Sequence, residues 1–325
     1  MSILVITNQT DITSDFIIKR LTERNLPFYR LNTETIGRFV EVNFNFESGE
    51  YLLTDTVAGI TIDLSTVTGV YYRRPEINRN YNELTAGERN FTFAELAYTL
   101  EALYKILDGA FWISKVQAIR NAENKMYQLM VAKRLGFPVP AALVTSDPKA
   151  ALAFFNKHDR SCIIKPIKSG LVQGEDDEEG VIFTSKVDIT EDNVGRIRSC
   201  PVYLQPLIEK KADIRVTVVG DKTFAAKIHS QEAKDSQVDW RQTNKLLDHS
   251  AIDLPKIIED QCIQLVKMLG LNYGAIDFIL DKNDNYIFLE INPNGQWAWI
   301  ENRLNLNISH GITELFEQNL AVPRT

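Results

Sequence analysis

Two carboxylates and an amide near the end of the chain are spaced like a polar site set into a buried hairpin. Asp277 stands in the apolar run YGAIDFIL and Glu290 in YIFLEIN, with the turn-rich DKNDN between them. A hairpin centred on that turn sets the two carboxylates opposite one another. Like charges paired directly across strands are destabilising unless something cationic neutralises them. Asn292, two residues past Glu290, projects from the same strand face. Two carboxylates and an amide oxygen on one face are hard oxygen ligands, a set that suits magnesium or manganese with nucleotide phosphates completing the shell. The competing reading is a solvated sheet face with its charges alternating outward. The apolar neighbours of Glu290 and the abrupt break at Pro293, Asn294 and Gly295 favour the buried site.

A magnesium phosphate site also needs fixed cations. Lys165 in CIIKPIKSG is delivered by an apolar strand just before a proline and a glycine loop, and Lys125 sits near the start of a helix. Either alone is the kind of lysine that ordinarily lies on a surface. In YLQPLIEKKADIR, Pro206 removes one backbone donor, the backbone groups of Leu207 and Ile208 can read an adenine edge, and Asp213 follows at a separation suited to a ribose hydroxyl. An ordinary edge strand with a proline accounts for the same residues equally well. Arg215 shares a strand face with Asp213 and Thr217 and so points toward the same cleft. The stretch SGLVQGEDDEEG carries Gly170, Gly174 and Gly180, enough backbone freedom for a lid over phosphates. Its acidic run, Glu175, Asp176, Asp177, Glu178 and Glu179, repels ATP, so it is expected to face outward, toward a basic segment of a partner. No general base stands out, because the four histidines show no motif spacing and nucleophile elbows are missing.

The elements that must position these groups are legible in outline. ILVITN at 3–8 and the helix pattern of SDFIIKRLTERN make a βα start, but TNQTDIT lacks the glycines of a dinucleotide fingerprint. Strands follow at VEVNFNF and VTGVYYRRP. A long helix at about 88–107 buries Phe93, Leu96, Ala97, Leu100, Tyr104 and Leu107 on one face and ends at Asp108 and Gly109. A second helix is expected to start behind an Asn121 cap and to stop at Gly136. Then come AALVTS, a short helix in PKAALAFFNKH, the Lys165 strand, a mobile loop, strands at GVIFTS and VYLQPLI, and a hairpin turning at Gly220 and Asp221. A helix at about 255–269 precedes the carboxylate hairpin.

A chain of 325 residues is long enough for two or three domains. The net charge of -7, from 43 acidic and 36 basic residues, argues against a general nucleic-acid binder. Cys162, Cys200 and Cys262 lie far apart in apolar settings and read as reduced core thiols. With no basic n-region and no long apolar run, a cytoplasmic protein with no membrane partner is expected.

The ordered set (helix lysine, IIKP lysine, glycine loop, hinge strand, DIR, then Asp and Glu-x-Asn on a terminal hairpin) resembles the ATP-grasp carboxylate ligases over roughly 116–315. The resemblance implies an α/β (α+β) ATP-grasp fold behind an N-terminal pre-ATP-grasp βα domain. It divides the chain into 1–115, a central subdomain at 116–202 with the lysines and lid, and a C-terminal subdomain at 203–325 with the hinge and metal site. It implies phosphate contacts from Lys125 and Lys165, adenine contacts from Leu207 and Ile208 and a ribose contact from Asp213. Ser169, Gly170 and Gln205 belong to the same ATP-binding set. Asp277, Glu290 and Asn292 would hold two magnesium ions, or manganese, and Arg215 would steady an acyl phosphate.

A narrower resemblance rests on YYRRP at 71–75, DWR at 239–241 and NPNGQWAWIE at 292–301, and it extends to nearly the whole chain. These are similar to the maturases of microviridin-type peptides, or graspetides. The likeness implies an enzyme that docks the leader of a ribosomal precursor peptide and joins Asp or Glu side chains of its core to Thr or Ser as esters, or to Lys as amides. Arg215, Arg73 and Arg74 are then the catalytic candidates for stabilising the acyl oxyanion, and a homodimer is expected. His229 stands where relatives carry an acidic residue, which leaves acceptor positioning open. The rival readings are a RimK-type ligase adding a free amino acid and, in another class, a nucleotide sensor without turnover.

Overall fold

The structure, a computed structural model, describes residues 2–168, 170–173, 179–232, 234–243 and 247–320. The N-terminal part runs β1 (Ser2–Thr7), α1 (Ile12–Glu23), β2 (Phe28–Asn32), β3 (Val40–Asn45), β4 (Glu50–Asp55), β5 (Ile60–Asp63), β6 (Val67–Tyr72), α2 (Ala86–Ile106) and β7 (Phe111–Trp112). Strands β2, β1, β6 and β7 form a parallel sheet in that order. Residues 3–6 of β1 are all apolar because a parallel sheet is covered on both faces. Its alternation sends Leu4 and Ile6 into a core with Leu100, Leu103 and Trp112, and Ile3 and Val5 into another with Ile17, Ile308 and Phe316. The second of these cores joins the two ends of the chain. Strands β3, β4 and β5 make a separate antiparallel sheet. Only β3 was expected, since short half-exposed strands such as β5 bury too few residues to show a periodic pattern.

The middle of the chain contains α3 (Val116–Ala122), α4 (Lys125–Arg134), β8 (Leu143–Thr145), α5 (Pro148–Lys157), β9 (Cys162–Lys165), β10 (Leu171–Gln173), β11 (Glu179–Val181), β12 (Ser185–Val187) and β13 (Val202–Pro206). The order β12, β9, β13, β8 forms an antiparallel sheet under α5. Two expectations are corrected here. The helix expected behind Asn121 is a pair of helices, and the cap is Asn124, whose side chain accepts from the Met126 and Tyr127 amides at 3.1 and 3.0 Å. The stretch read as a mobile loop carries a two-stranded ribbon, β10 against β11; residues 174–178, with most of the acidic run, lie outside the described residues.

The C-terminal part comprises β14 (Lys210–Val219), β15 (Lys222–Ile228), β16 (His249–Ile252), α6 (Lys256–Met268), β17 (Tyr273–Asp281), β18 (Tyr286–Asn292), α7 (Ala298–Leu304) and α8 (Ile308–Leu320). Its antiparallel sheet has the order β16, β15, β14, β17, β18. Ile119, Ala122, Val131, Ala132 and Phe137 share its core with α6, so α3 and α4 pack on this sheet. Cys162 and Cys262 are buried, whereas Cys200 is exposed beside Pro201, contrary to the core position expected for all three. Among the described residues no helix is long and apolar enough to cross a membrane.

Candidate functional site

The register of β17 and β18 pairs Asp277 with Glu290, with a bulge immediately after that pair. One strand further in, Arg215 of β14 lies opposite Asp277, giving a row of Arg215, Asp277 and Glu290 across three strands. Arg215 Nη1 donates to Asp277 Oδ2 at 2.7 Å. Glu290 is met by Lys125 Nζ at 3.2 Å and by Arg241 Nη1 at 3.5 Å. The cationic neutralisation that such a pair needs is therefore supplied by the chain's own Arg215, Lys125 and Arg241. The two carboxylates are not equivalent. Burial pushes the Asp277 carboxyl up despite Arg215, while at Glu290 the effect of burial is overcome by Lys125, Arg241 and Lys165, which hold that carboxyl down.

Helix α4 delivers Lys125, and Gln128 one turn later fixes where it stands. The buried Gln128 amide donates to the Ile291 carbonyl at 2.8 Å and accepts from the Ile291 amide at 3.0 Å, completing a hydrogen-bond pair with the edge strand β18. Lys125 and Glu290 are thereby held in register. On the other side, Asp239 grips Arg241 with bonds of 2.8 and 3.0 Å from Nε and Nη2. Burial pushes the Lys165 ammonium down to about 8, with Glu290 partly opposing.

These groups face a cleft of about 570 Å³ between the central sheet and the C-terminal sheet. Lys125, Lys165, Gly170, Gln205, Leu207, Ile208, Asp213, Asp277, Glu290 and Asn292, all expected at the site, line it. Ser169 lies outside the described residues. At Gly170 a Cβ would stand 2.0 Å from the Ile182 carbonyl oxygen, so the backbones there approach too closely for any side chain. Some of these residues are already engaged. The Leu207 amide donates to the Ser161 carbonyl at 2.8 Å, and buried Asp213 accepts from Lys210 Nζ at 2.9 and 2.7 Å.

The residues fit ATP with magnesium. Asp277, Glu290 and Asn292 supply hard oxygens, the two lysines supply cations, and the buried Gln205 Oε1 has no partner among the described residues, leaving an acceptor for an amino group. Among the described residues there is no cluster of three His, Cys, Asp or Glu side chains placed to hold a metal, so a bound ion would draw on the phosphates and the Asn292 amide as well.

The three arginines go to three different places. Arg215 stands behind Asp277. Arg73 is buried away from the cleft, its Nε bonded to Asp11 at 3.2 Å and its Nη1 to the Asn294 and Gly295 carbonyls at 3.1 and 2.9 Å. With Tyr273, whose hydroxyl donates to the Gly295 carbonyl at 2.7 Å, it clamps the turn that ends β18. A Cβ on Gly295 would fall 2.7 Å from that of Ala275, so only glycine fits this turn. Arg74 lines a separate cavity. His229, just past β15, neighbours Ser250 and Glu232 and does not line the cleft.

Sequence reading gave no role to Gln128, Lys210, Asp239 or Arg241. The DWR triplet was the only available signal for the last two. Gln128 announces itself only through its bonds to the distant Ile291, and Lys210 only through the Asp213 carboxylate three residues on.

A lysine-rich cleft between two sheets, closed by a carboxylate hairpin, defines an ATP-grasp ligase architecture. Residues 2–120 match the MvdD pre-ATP grasp domain and residues 122–316 the RimK-like ATP-grasp domain. The chain belongs to the RimK-like ATP-grasp family, whose enzymes use ATP and magnesium. It is 30% identical to a RiPP-associated ATP-grasp ligase of Chryseobacterium gregarium, solved with ADP and a leader and core peptide; the match covers 99% of this chain and 98% of that one, with a TM-score of 0.87. It is 29% identical to the macrocyclase MdnC of Microcystis aeruginosa MRC, solved with the precursor peptide MdnA, over 97% of this chain and 99% of that one, with a TM-score of 0.84. A probable alpha-L-glutamate ligase of Haemophilus influenzae is 25% identical over 217 residues, which is 65% of this chain and 68% of the relative.

Proposed function

We propose that the protein is an ATP-dependent macrocyclase of a ribosomal precursor peptide. The observation that carries this reading is the cation-framed Asp277 and Glu290 pair in a cleft lined by Lys125, Lys165 and Arg241. The likeness to peptide-bound ligases across nearly the full chain, N-terminal domain included, supports the peptide substrate. A carboxylate does not esterify in water because its leaving group is poor. Attack of a core Asp or Glu carboxylate oxygen on the γ-phosphorus of ATP breaks the bond to the β-phosphate oxygen, giving an acyl phosphate and ADP. Catalysis of that step is positioning plus charge neutralisation. Lys125 and Lys165 hold phosphate oxygens, Gln205 and the Ile208 backbone take the adenine edge, and Asp213 orients the ribose.

Asp277, Glu290 and Asn292 would hold two magnesium ions, or manganese, which would supply charge neutralisation at the phosphates. A Thr or Ser hydroxyl, or a Lys amine, then attacks the acyl carbon, loses its proton and expels phosphate. Each ring forms with net loss of one water. Arg215 and Arg241 are the guanidinium groups near the reacting carboxylate, and Arg73 acts by positioning. The protein works in the cytoplasm, as a homodimer.

The test is to incubate the protein with ATP, magnesium and the short Thr-, Lys- and Glu-rich peptide encoded beside its gene, then weigh the product. A peptide lighter by one water per bond is expected. Added mass of an amino acid would instead establish the RimK-type ligase that the glutamate ligase relatives favour, and ATP binding without peptide-dependent ADP release would establish a nucleotide sensor.

A further inference from the structure

Beside the nucleotide cleft lies a second cavity of about 360 Å³, where the loop after β1 and the segment after β6 meet the residues that follow β18. The 293–296 turn separates the two: Pro293 lines the first and Gln296 the second. Arg74 lines this second cavity with its backbone at φ 47°, a left-handed conformation that arginine seldom adopts. Its carbonyl accepts from Asn8 Nδ2 at 2.7 Å, which holds the residue in place.

The charges here are not paired. Of the carboxylates lining the cavity, Asp11 is committed to Arg73, Thr7 and Ser14, and Glu76, which accepts from the neutral Asn8 amide at 3.0 Å, makes no ion pair among the described residues. Among the described residues Arg74 makes no ion pair. With its amide oxygen turned toward the guanidinium, Gln296 accepts from both Nη atoms at 3.0 Å, a neutral partner in place of a carboxylate. Phe16 and Trp299 supply apolar wall beside it. A guanidinium fork without an ion-pair partner in a partly apolar cavity is a receptor for a carboxylate on a short aliphatic stem.

We propose that this cavity is a subsite for an acidic side chain of the peptide substrate, one other than the carboxylate being activated, with Arg74 pairing the carboxylate while Phe16 and Trp299 pack on its methylenes. The assignment rests on the peptide-ligase reading above and adds to it a residue that selects the peptide. Because the 293–296 turn is common to both cavities, a side chain held here anchors the peptide next to the carboxylate hairpin.

The test is a titration of the protein, with and without Mg·ADP, by N-acetyl-glutamate N-methylamide, followed through the indole resonance of Trp299. That signal is assigned among the four tryptophans by its loss in Trp299→Phe. A saturable shift is expected, weakened about tenfold or more in Arg74→Gln, partly retained in Arg74→Lys, and equally weak for N-acetyl-glutamine N-methylamide. Equal binding by wild type and Arg74→Gln, or no saturable shift, overturns the subsite. Because the titration needs no turnover, it is read independently of the ligase assignment, which fails separately if Mg·ADP does not bind.

Discussion

The molecule contains two buried arginine–aspartate pairs that resemble each other in composition and differ in what surrounds them. In the N-terminal seam Arg73 and Asp11 are sealed, with side-chain exposures of 1% and 3%. Arg73 Nε goes to Asp11 and Nη1 to two backbone carbonyls, its buried Nη2 has no partner among the described residues, and Asp11 also accepts from Thr7 and Ser14. In the C-terminal sheet Arg215 and Asp277 are also enclosed, at 8% and 14%, but Asp277 lines a cleft and faces a second carboxylate across the hairpin. The first pair consumes its own charge and acts as a strut. The second leaves a mixed field of two carboxylates and several cations open to a cleft, which is the condition for recruiting a polyanionic ligand with its counter-ions. Burial of an ion pair therefore says little about function until the remaining valences are counted.

The sharpest way to break this contrast is to remove Arg73. Arg73→Met strands Asp11 and two carbonyls, and a loss of about 3–5 kcal/mol of stability is expected in urea unfolding. Stability near wild type would end the strut assignment. Glu290→Gln should leave a folded protein while peptide-dependent ADP release falls about 10²–10³-fold, the range seen when one preorganised charge is removed from a reacting site. A rate within a few-fold of wild type would remove the hairpin from the chemistry.

Gln128→Leu tests the link between the lysine helix and the carboxylate strand. It removes the side-chain bonds to Ile291, at a cost of about 1–3 kcal/mol, and should raise the KM for ATP by disturbing Lys125; unchanged stability and KM together would contradict the link. The smallest effect concerns Lys165, whose ammonium is held down to about 8 by burial. Its folded pKa lies below the ordinary lysine value, so the unfolded chain binds more protons between the two. The nucleotide-free protein should therefore gain stability from this group as pH rises from about 8 toward 10.5. Phosphates arriving beside Lys165 reverse that shift, so nucleotide binding near pH 8.5 should take up a fraction of a proton. Calorimetry in two buffers of different ionisation enthalpy measures it, and persistence of the uptake in Lys165→Met would assign it elsewhere.

The legible parts were those written in local pattern. The symmetric spacing of Asp277 and Glu290 about DKNDN predicted their pairing, and the structure pairs them despite a bulge one residue later. Helix α2, the Gly220 turn and the central strands followed from periodicity and turn chemistry. The start of α4 was misplaced by three residues, and α3 before it was not expected, because Asn121 and Asn124 are equally good caps by type. Only the observed bonds to the Met126 and Tyr127 amides distinguish them.

By itself the sequence determined which strands carry polar ligands and on which face, because side-chain alternation along a strand is a property of neighbouring residues alone. What the tertiary structure decided is which cation meets which carboxylate. Arg73 and Arg74, adjacent in the chain, were both expected at the reacting centre, yet one became a sealed strut and the other lines a separate cavity. Gln128, unmarked by any local pattern, and Arg241, marked only by the DWR triplet, reached the carboxylate strand. Those outcomes depend on contacts between segments far apart in sequence, where charge and hydrogen bonding act through space and leave no trace in residue spacing.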